Sequence, residues 1–486
     1  MLSWRSNLSG GNFFILKIGF ISLGCPKNLV DTEVMMGQLV ARGHQLTPHP
    51  EEAEVIVVNT CSFIDPAKQE SVNTILEMAE YKKTGRAKRL VVAGCLVERF
   101  GGDIRADLPE VDAIIGTNEV ERIVEACEGA LAPAALPAPY LYHDATPRLR
   151  TTPRHFAYMK IAEGCDHPCT FCVIPHYRGA FRSRRFESVV VEASRLFSEG
   201  VREINLIGQD TTCYGEDLGI QDGLAHLLSR LARIETDHQK WIRFLYAYPN
   251  KVTQKLLDTI AAHDSLVKYI DMPLQHASAN VLKRMKRGSS GDLFLKLLER
   301  IRRTIPGVAI RSSFIVGFPG ETQADFDQLC QFVREAQFDR LGVFTYSDED
   351  TSASFHLDGK VDGRTIHNRK RRLMAMQRRI SRRIHHRLIG CEVSVLVEGP
   401  SQETDLLWQA RMQTQAPDID GICYINDDNG TRLRPGELRR LRITEAHDYD
   451  VVGEIVDLPE AEWRAPAQPV FPILSSHGSL PISRGQ

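Results

Sequence analysis

The chain has 486 residues, 43% of them hydrophobic and 25% charged, with 60 Lys and Arg against 62 Asp and Glu for a formal net charge of −2. That length suits about three domains at roughly 100–200 residues each, and the near-neutral balance excludes a whole-chain attraction to nucleic acid or to an anionic membrane, so any charge argument has to be regional. Eleven cysteines, an odd number in a large chain with no convincing secretory signal, point to a reducing, cytoplasmic setting and to metal or redox chemistry rather than a disulfide framework.

Residues 1–15 read as an N-terminal extension. The apolar stretch 13–23, just before Cys25, superficially suggests a lipoprotein signal, but Lys17 interrupts it and it is shorter than the ~20 apolar residues a membrane span needs. From 16 to 130, apolar strand-like runs alternate with helical stretches, the pattern of an α/β domain with a parallel sheet. The runs 17–23, 54–58 and 89–93 each stop just short of a cysteine: Cys25, Cys61 and Cys95. In open α/β sheets the carboxyl edge is where ligands bind, so three thiols delivered there converge on one crevice. Buried small hydrophobes are the alternative for any one of them, and the repeated placement argues against it for the set.

An Ala- and Pro-rich stretch, 131–150, reads as a linker. A second domain, 151–388, offers strands at 156–161, 203–207, 241–246, 269–272, 309–316 and 341–346 with helices such as 188–198 and 293–304 between them, a partial (β/α)6 barrel. Just after its first strand come Cys165, Cys169 and Cys172 in the spacing Cys-x3-Cys-x2-Cys. Three thiolates so spaced can wrap one corner of a cubane cluster and leave the fourth iron open to chelate a small molecule. Zinc is the competing reading and requires His167 or His176 as a fourth ligand. The motif and its position resemble the radical S-adenosylmethionine superfamily, in which the reduced cluster cleaves the cofactor to a 5′-deoxyadenosyl radical. Within that frame Gly317, Gly320 and Glu321 are candidate contacts to S-adenosyl-L-methionine, on a strand end where glycines let backbone approach adenine or ribose; an ordinary strand-to-helix turn is the alternative. The strand ends 208–212 and 271–276 would line the same cavity, Cys213 is a spare thiol near them, and no catalytic side chain is assigned.

Residues 363–387 carry ten Arg or Lys and no Asp or Glu, with Leu373, Ile380, Ile384 and Leu388 at helical spacing: a basic helix with one packed face, its charges either solvated or touching phosphate. Short β-rich runs between 389 and 457 fit a small β-barrel. Residues 458–486, with five prolines, read as a poorly ordered tail.

Taken together, residues 16–457 resemble the methylthiotransferase family. The resemblance implies that Cys25, Cys61 and Cys95 hold an auxiliary [4Fe–4S] cluster that carries or supplies sulfur, that Cys165, Cys169 and Cys172 hold the radical cluster, and that the last barrel is a TRAM domain that recognises substrate. Gly24-Cys25-Pro26-Lys27-Asn28-Leu29-Val30-Asp31, Phe63-Ile64-Asp65 and Met272-Pro273-Leu274-Gln275-His276-Ala277-Ser278 look like the branch that modifies an aspartate of ribosomal protein uS12, free or in the small subunit. The implied electron donor is flavodoxin or ferredoxin. A branch acting on a modified adenosine of tRNA is the alternative, and a zinc-bound ribosome adaptor is a third reading from another class. Between 391 and 457 there are fourteen Asp or Glu and six Arg or Lys, a formal −8 that repels phosphate and disfavours tRNA.

Overall fold

The computed structural model describes residues 15–132, 139–404, 406–459, 471, 473 and 474. The expected extension 1–15 therefore lies, apart from its last residue, outside the described residues.

Strands β1 (Lys17–Ser22), β2 (Gln45–Leu46), β3 (Val55–Thr60), β4 (Arg89–Gly94) and β5 (Ala113–Ile115) form a parallel sheet in the order β2-β1-β3-β4-β5. Val55 and Val57 of β3 face one apolar core and Ile56 and Val58 the other, which is why a continuous β-branched run forms a strand here. The chain leaves β1 toward β2 on one side and builds β3, β4 and β5 on the other. A topological switch point therefore lies between β1 and β3, with a crevice beyond their carboxyl ends.

The second unit has six parallel strands: β6 (Phe156–Lys160), β9 (Glu203–Ile207), β10 (Trp241–Phe244), β11 (Tyr269–Asp271), β12 (Ala309–Val316) and β13 (Arg340–Thr345); a short hairpin, β7 (Ala162–Glu163) and β8 (Arg182–Ser183), follows β6. They make two three-stranded sheets, β6-β9-β10 and β11-β12-β13, joined by a bridge between Ile242 and Leu266. This is the partial barrel expected, with ends of the predicted strands shifted by no more than a residue or two. Apolar residues of the helix Pro26–Arg42, among them Val30, Val34 and Met35, pack with Tyr158, Trp241 and Tyr269 of the barrel, so the first domain covers its open side.

The helix Gly363–His386 lays Leu373, Met374, Met376 and Ile380 on the barrel core, and the Gln377 amide donates to the Phe338 carbonyl at 2.8 Å. Strands β14 (Glu392–Pro400), β15 (Trp408–Met412), β16 (Cys423–Asp427), β17 (Leu438–Ala446) and β18 (Val451–Ile455) then close into a barrel, β14-β15-β16-β18-β17. It sits against the amino ends of the larger barrel's strands. Arg411 links Glu203 of β9 and Glu398 of β14, each at 2.6 Å, while Asp420 accepts from the Tyr269 hydroxyl at 2.7 Å and faces Arg311 and Arg340. Part of the −8 counted in this region is turned off its surface, because Asp418, Asp420 and Asp448 face cations or hydroxyls elsewhere in the chain.

Two stretches are more tightly held than their composition suggests. In the region read as a linker, Tyr142 and Arg148 are buried, and Arg148 bridges Glu33 of the first domain (2.6 Å) and Glu192 of the second (2.8 Å). In the region read as a disordered tail, Leu474 is buried and its N–H donates to the Phe20 carbonyl at 2.7 Å, on the edge of β1 that the two-residue β2 leaves unpaired. Satisfying that carbonyl and burying its side chain hold Leu474; apart from residues 458, 459, 471, 473 and 474, the expected tail lies outside the described residues.

Candidate metal centre

Each N-terminal cysteine occupies the carboxyl edge of the sheet. Cys25 is the N-cap of the helix Pro26–Arg42, Cys61 follows β3 directly, and Cys95 opens the helix Cys95–Asp107 after β4. Two helix amino ends thereby bring partial positive charge to the site, which favours thiolate. Asn28 ties the loops together: its amide donates to the Leu23 carbonyl (3.0 Å) and the Thr60 carbonyl (2.7 Å), and its backbone carbonyl accepts from the Asn59 amide (2.9 Å). Gly24 and Gly94, each just before a cysteine, have φ of +85° and +95°. A Cβ on Gly24 would stand 2.7 Å from Cys61 Cβ, and one on Gly94 2.3 Å from Asn59 Oδ1, so both loops close only with glycine. Ser71 fixes Cys61 from the other side, accepting from its N–H at 3.1 Å and donating to its carbonyl at 2.9 Å.

The second triad sits on the loop after β6. The Cys165 N–H donates to the Gly179 carbonyl (3.2 Å), and Thr170 bonds the Met285 and Arg284 carbonyls (3.2 and 2.9 Å), which closes the loop against the barrel's carboxyl edge. Arg287 donates toward Cys169 Sγ at 3.6 Å and lies over the Tyr248 ring, which stacks on His167 at 3.7 Å. His167 Nε2 is 2.6 Å from Asp210, not among the three thiols, and His176 is exposed.

Burial, with the charges of Cys25 and Cys95 behind it, pushes the Cys61 thiol up to about 12. Burial likewise raises Cys165 to about 11 and Cys172 to about 12, and it raises Cys95 against the pull of Arg178. Thiols so held give up their protons to a bound metal centre, whose loading is therefore pH-dependent. Among the described residues, the one set of three His, Cys, Asp or Glu ligand atoms within 4.8 Å of one another is His167, Asp210 and Cys213. Neither triad is that compact, whereas thiolates on one zinc, each about 2.3 Å from the ion, would lie about 3.8 Å apart.

The first triad borders the domain junction. Arg178, six residues after Cys172, donates to Cys95 Sγ (3.4 Å), Asn28 Oδ1 (2.6 Å) and Asp31 (2.6 Å). Lys160 completes the set, at 2.5 Å from Asp31 and 2.6 Å from Glu163. All four charged groups are buried; burial alone would raise the Glu163 carboxyl, but Lys160 and Arg178 outweigh it and hold it at about 2. On another side, Lys68 and Arg99 of the first domain converge on buried Glu349 of the second. Lys27, two residues after Cys25, places its ammonium 3.2 Å from the centre of the Tyr246 ring just beyond β10.

Glu321 is fully buried, accepts from the N–H groups of Gly317 and Phe318, and faces Arg369 at 3.4 Å. Its carboxylate braces the turn after β12. A Cβ on Gly317 would meet Ile366 and one on Gly320 would meet Arg284, so on those sides packing fills the space. Asp210 holds His167, Cys213 donates to Asp210 at 3.1 Å, and Asp271 accepts from Arg311 at 2.7 Å. Sequence reasoning missed the roles of Asn28, Arg178 and Arg287. Asn28 was visible within the quoted motif, whereas neither arginine carried a local signal.

Family profiles match this chain in three places: residues 17–116 match the Uncharacterized protein family UPF0004, 159–333 the Radical SAM superfamily and 389–456 the TRAM domain. The protein from Solibacter usitatus named ribosomal protein uS12 methylthiotransferase RimO is 75% identical over 96% of this chain and 99% of its own length. The namesake from Koribacter versatilis is 55% identical over 90% and 96%, and that from Geobacter sulfurreducens 47% identical over 90% and 98%. A solved radical S-adenosylmethionine methyltransferase, TsrM from Kitasatospora setae with cobalamin and a [4Fe-4S] cluster bound, superposes with a TM-score of 0.50 at 12% identity, covering 68% of this chain and 72% of that one. That likeness concerns the fold alone.

Proposed function

The chain belongs to the ribosomal protein uS12 methylthiotransferase family, and on that premise we propose that it places a methylthio group on the β-carbon of an aspartate in uS12. Cys165, Cys169 and Cys172 would hold a [4Fe–4S] cluster with an open iron for S-adenosyl-L-methionine, and Cys25, Cys61 and Cys95 would hold a second [4Fe–4S] cluster. When bound, these groups supply a 5′-deoxyadenosyl radical able to break an inert carbon–hydrogen bond, a methyl group from a second S-adenosyl-L-methionine, and sulfur. Gly317, Gly320 and Glu321 shape the turn offered as the cofactor's adenosine-facing wall.

The observation that carries this reading is Arg178, which ends the helix following the second triad's loop and donates to a sulfur of the first triad. A transfer between a radical site and a sulfur site requires both beside one substrate carbon, and the buried set Asp31, Lys160, Glu163 and Arg178 fixes that approach. Arg178 and Arg287 each donate to a ligand sulfur and offset the negative charge of a thiolate-bound cluster. Lys27 is buried at the junction without a carboxylate partner among the described residues, and in this reading it receives the substrate's aspartate. Flavodoxin or ferredoxin would deliver electrons, and the setting would be cytoplasmic; no helix among the described residues is long and apolar enough to cross a membrane.

The test is iron and acid-labile sulfide in anaerobically reconstituted protein, wild type beside a Cys165/Cys169/Cys172→Ala variant, with uS12 assayed by mass spectrometry for gain of CH2S. About eight irons falling to about four, with loss of the uS12 product, is expected. About four falling to none would remove the second cluster and the methylthiotransferase reading with it.

A further inference from the structure

The helix Gly363–His386 has a face that neither the barrel nor the proposed chemistry uses. Arg364, Arg371, Arg379, Arg383 and, just past its end, Arg387 are exposed and have no carboxylate partner among the described residues. From Arg364 to Arg387 they span roughly 35 Å at 1.5 Å per residue. Arg378 and Arg382 lie beside them and share Asp448, while Arg372 pairs with Asp327.

A helix face that is merely solvated gains from alternating signs at i,i+4, and like charges at that spacing destabilise it. Here Arg378 with Arg382, Arg379 with Arg383, and Arg383 with Arg387 are all like-charged, and the stretch 363–387 has no acid at all in a chain of net charge −2. Repulsion concentrated in this way is relieved by a polyanion. At the helix's carboxyl end the stripe runs into a groove of about 410 Å³ against the small barrel, lined by Arg382, His386, His447, Asp448, Tyr449 and Asp450 among others, Asp450 accepting from the Ile422 N–H at 2.7 Å. The Tyr449 hydroxyl is buried there without a hydrogen-bond partner. Imidazole, guanidinium and phenol groups are those that bond phosphate and stack on unpaired bases, and Asp448 is already committed to the two arginines beside it.

We propose that this helix face and groove bind the phosphate backbone of RNA. Resting on the uS12 reading, the RNA is that of the small ribosomal subunit, so the enzyme would engage its protein substrate in an RNA-bearing particle while the site reads the aspartate. The surface carries none of the six cysteines, and it needs no base-specific recognition.

The test uses the full-length protein, labelled small-subunit ribosomal RNA transcript as the binding probe, and two variants: Arg379→Glu/Arg383→Glu and the conservative Arg379→Lys/Arg383→Lys. The Glu variant is expected to bind the transcript at least tenfold more weakly, with the slope of log affinity against log salt reduced by roughly 2, about one for each phosphate that is no longer neutralised. The Lys variant should keep wild-type slope. In turnover, the Glu variant should retain wild-type rates on free uS12 and lose them on isolated small subunits. Unchanged RNA affinity and slope would overturn the proposal, as would loss of binding to free uS12 with RNA binding intact, which would make the face a protein dock. If no form of the enzyme modifies uS12 while the RNA effects hold, the functional reading fails and the RNA surface stands.

Discussion

Gly94→Ala tests the second cluster without removing any thiol. Gly94 has φ +95° and ψ −156°, a region essentially reserved for glycine, so an alanine there costs about 1–3 kcal/mol in backbone strain. Its Cβ would also stand 2.3 Å from Asn59 Oδ1 and 2.7 Å from the Thr60 carbonyl. Neither neighbour yields cheaply: the Asn59 amide is bonded to the Asn28 carbonyl and Thr32, and the Thr60 carbonyl accepts from the Asn28 amide. Overpacking of this kind adds about 1–3 kcal/mol, for a total of about 2–6 kcal/mol concentrated on Asn28 and Cys95. The domain itself should stay folded, because Gly94 is the last residue of β4 and the rest of the sheet is unaltered. Iron and sulfide measured after anaerobic reconstitution are expected to fall from about eight to about four per chain. S-adenosyl-L-methionine cleavage to 5′-deoxyadenosine should persist, since the second triad lies on another loop. Full iron content together with wild-type methylthiolation of uS12 would refute the view that this glycine sets the Cys95 loop.

Lys27→Met should leave iron content unchanged and raise KM for uS12 while S-adenosyl-L-methionine cleavage continues; an unaltered KM would remove Lys27 from substrate binding. Arg178→Gln, studied in the Cys165/Cys169/Cys172→Ala background, should move the remaining cluster to a more negative potential in an EPR-monitored titration, since an N–H···S bond and a positive charge both favour the reduced form; an unmoved potential would make Arg178 a purely structural link. Burial would raise Glu398, but Arg411 and His155 hold it at about 2, below its ordinary 4.5. Its stabilising contribution is therefore complete above about pH 4.5 and lost as pH falls toward about 2, on the order of 3 kcal/mol in all. Urea midpoints should fall between about pH 6 and about pH 3 by more in the wild type than in Glu398→Gln, and equal falls would contradict the assignment.

The chemistry was legible in the sequence because it is local. A strand run that ends at Gly-Cys places the thiol on the carboxyl edge by itself, and Cys-x3-Cys-x2-Cys needs only one loop. What stayed hidden depends on distant pairing. Arg178 and Cys95 are 83 residues apart, and Arg148 and Glu33 are 115 apart, so no periodicity marks them. The acidic count of the small barrel left out such pairings for the same reason: Asp418 and Asp420 are turned inward onto Tyr158, Tyr269 and Arg311 of another domain. Glu321 shows the opposite limit, since a glycine-rich strand end reads alike whether its acid faces a ligand or its own turn.

The polar character of the domain junction follows from what the reaction asks of it. Apolar residues of similar volume in place of Asp31, Lys160, Glu163 and Arg178 would often be as stable or more so, because desolvating four charges offsets most of their mutual attraction. A greasy seam, however, tolerates sliding, while charge-assisted hydrogen bonds weaken steeply when their geometry changes. In the proposed reading a sulfur-bearing site stands on one domain and a radical site on the other, and a misplacement of about 1 Å between them already costs a large factor in rate. Arg178 meets that requirement from both sides at once: it ends the helix Ile174–Arg178 that follows the loop of Cys165, Cys169 and Cys172, and its guanidinium ends on Cys95 and Asp31. The interface is therefore part of the site, and its ion pairs hold register between the two triads more than they hold the domains together.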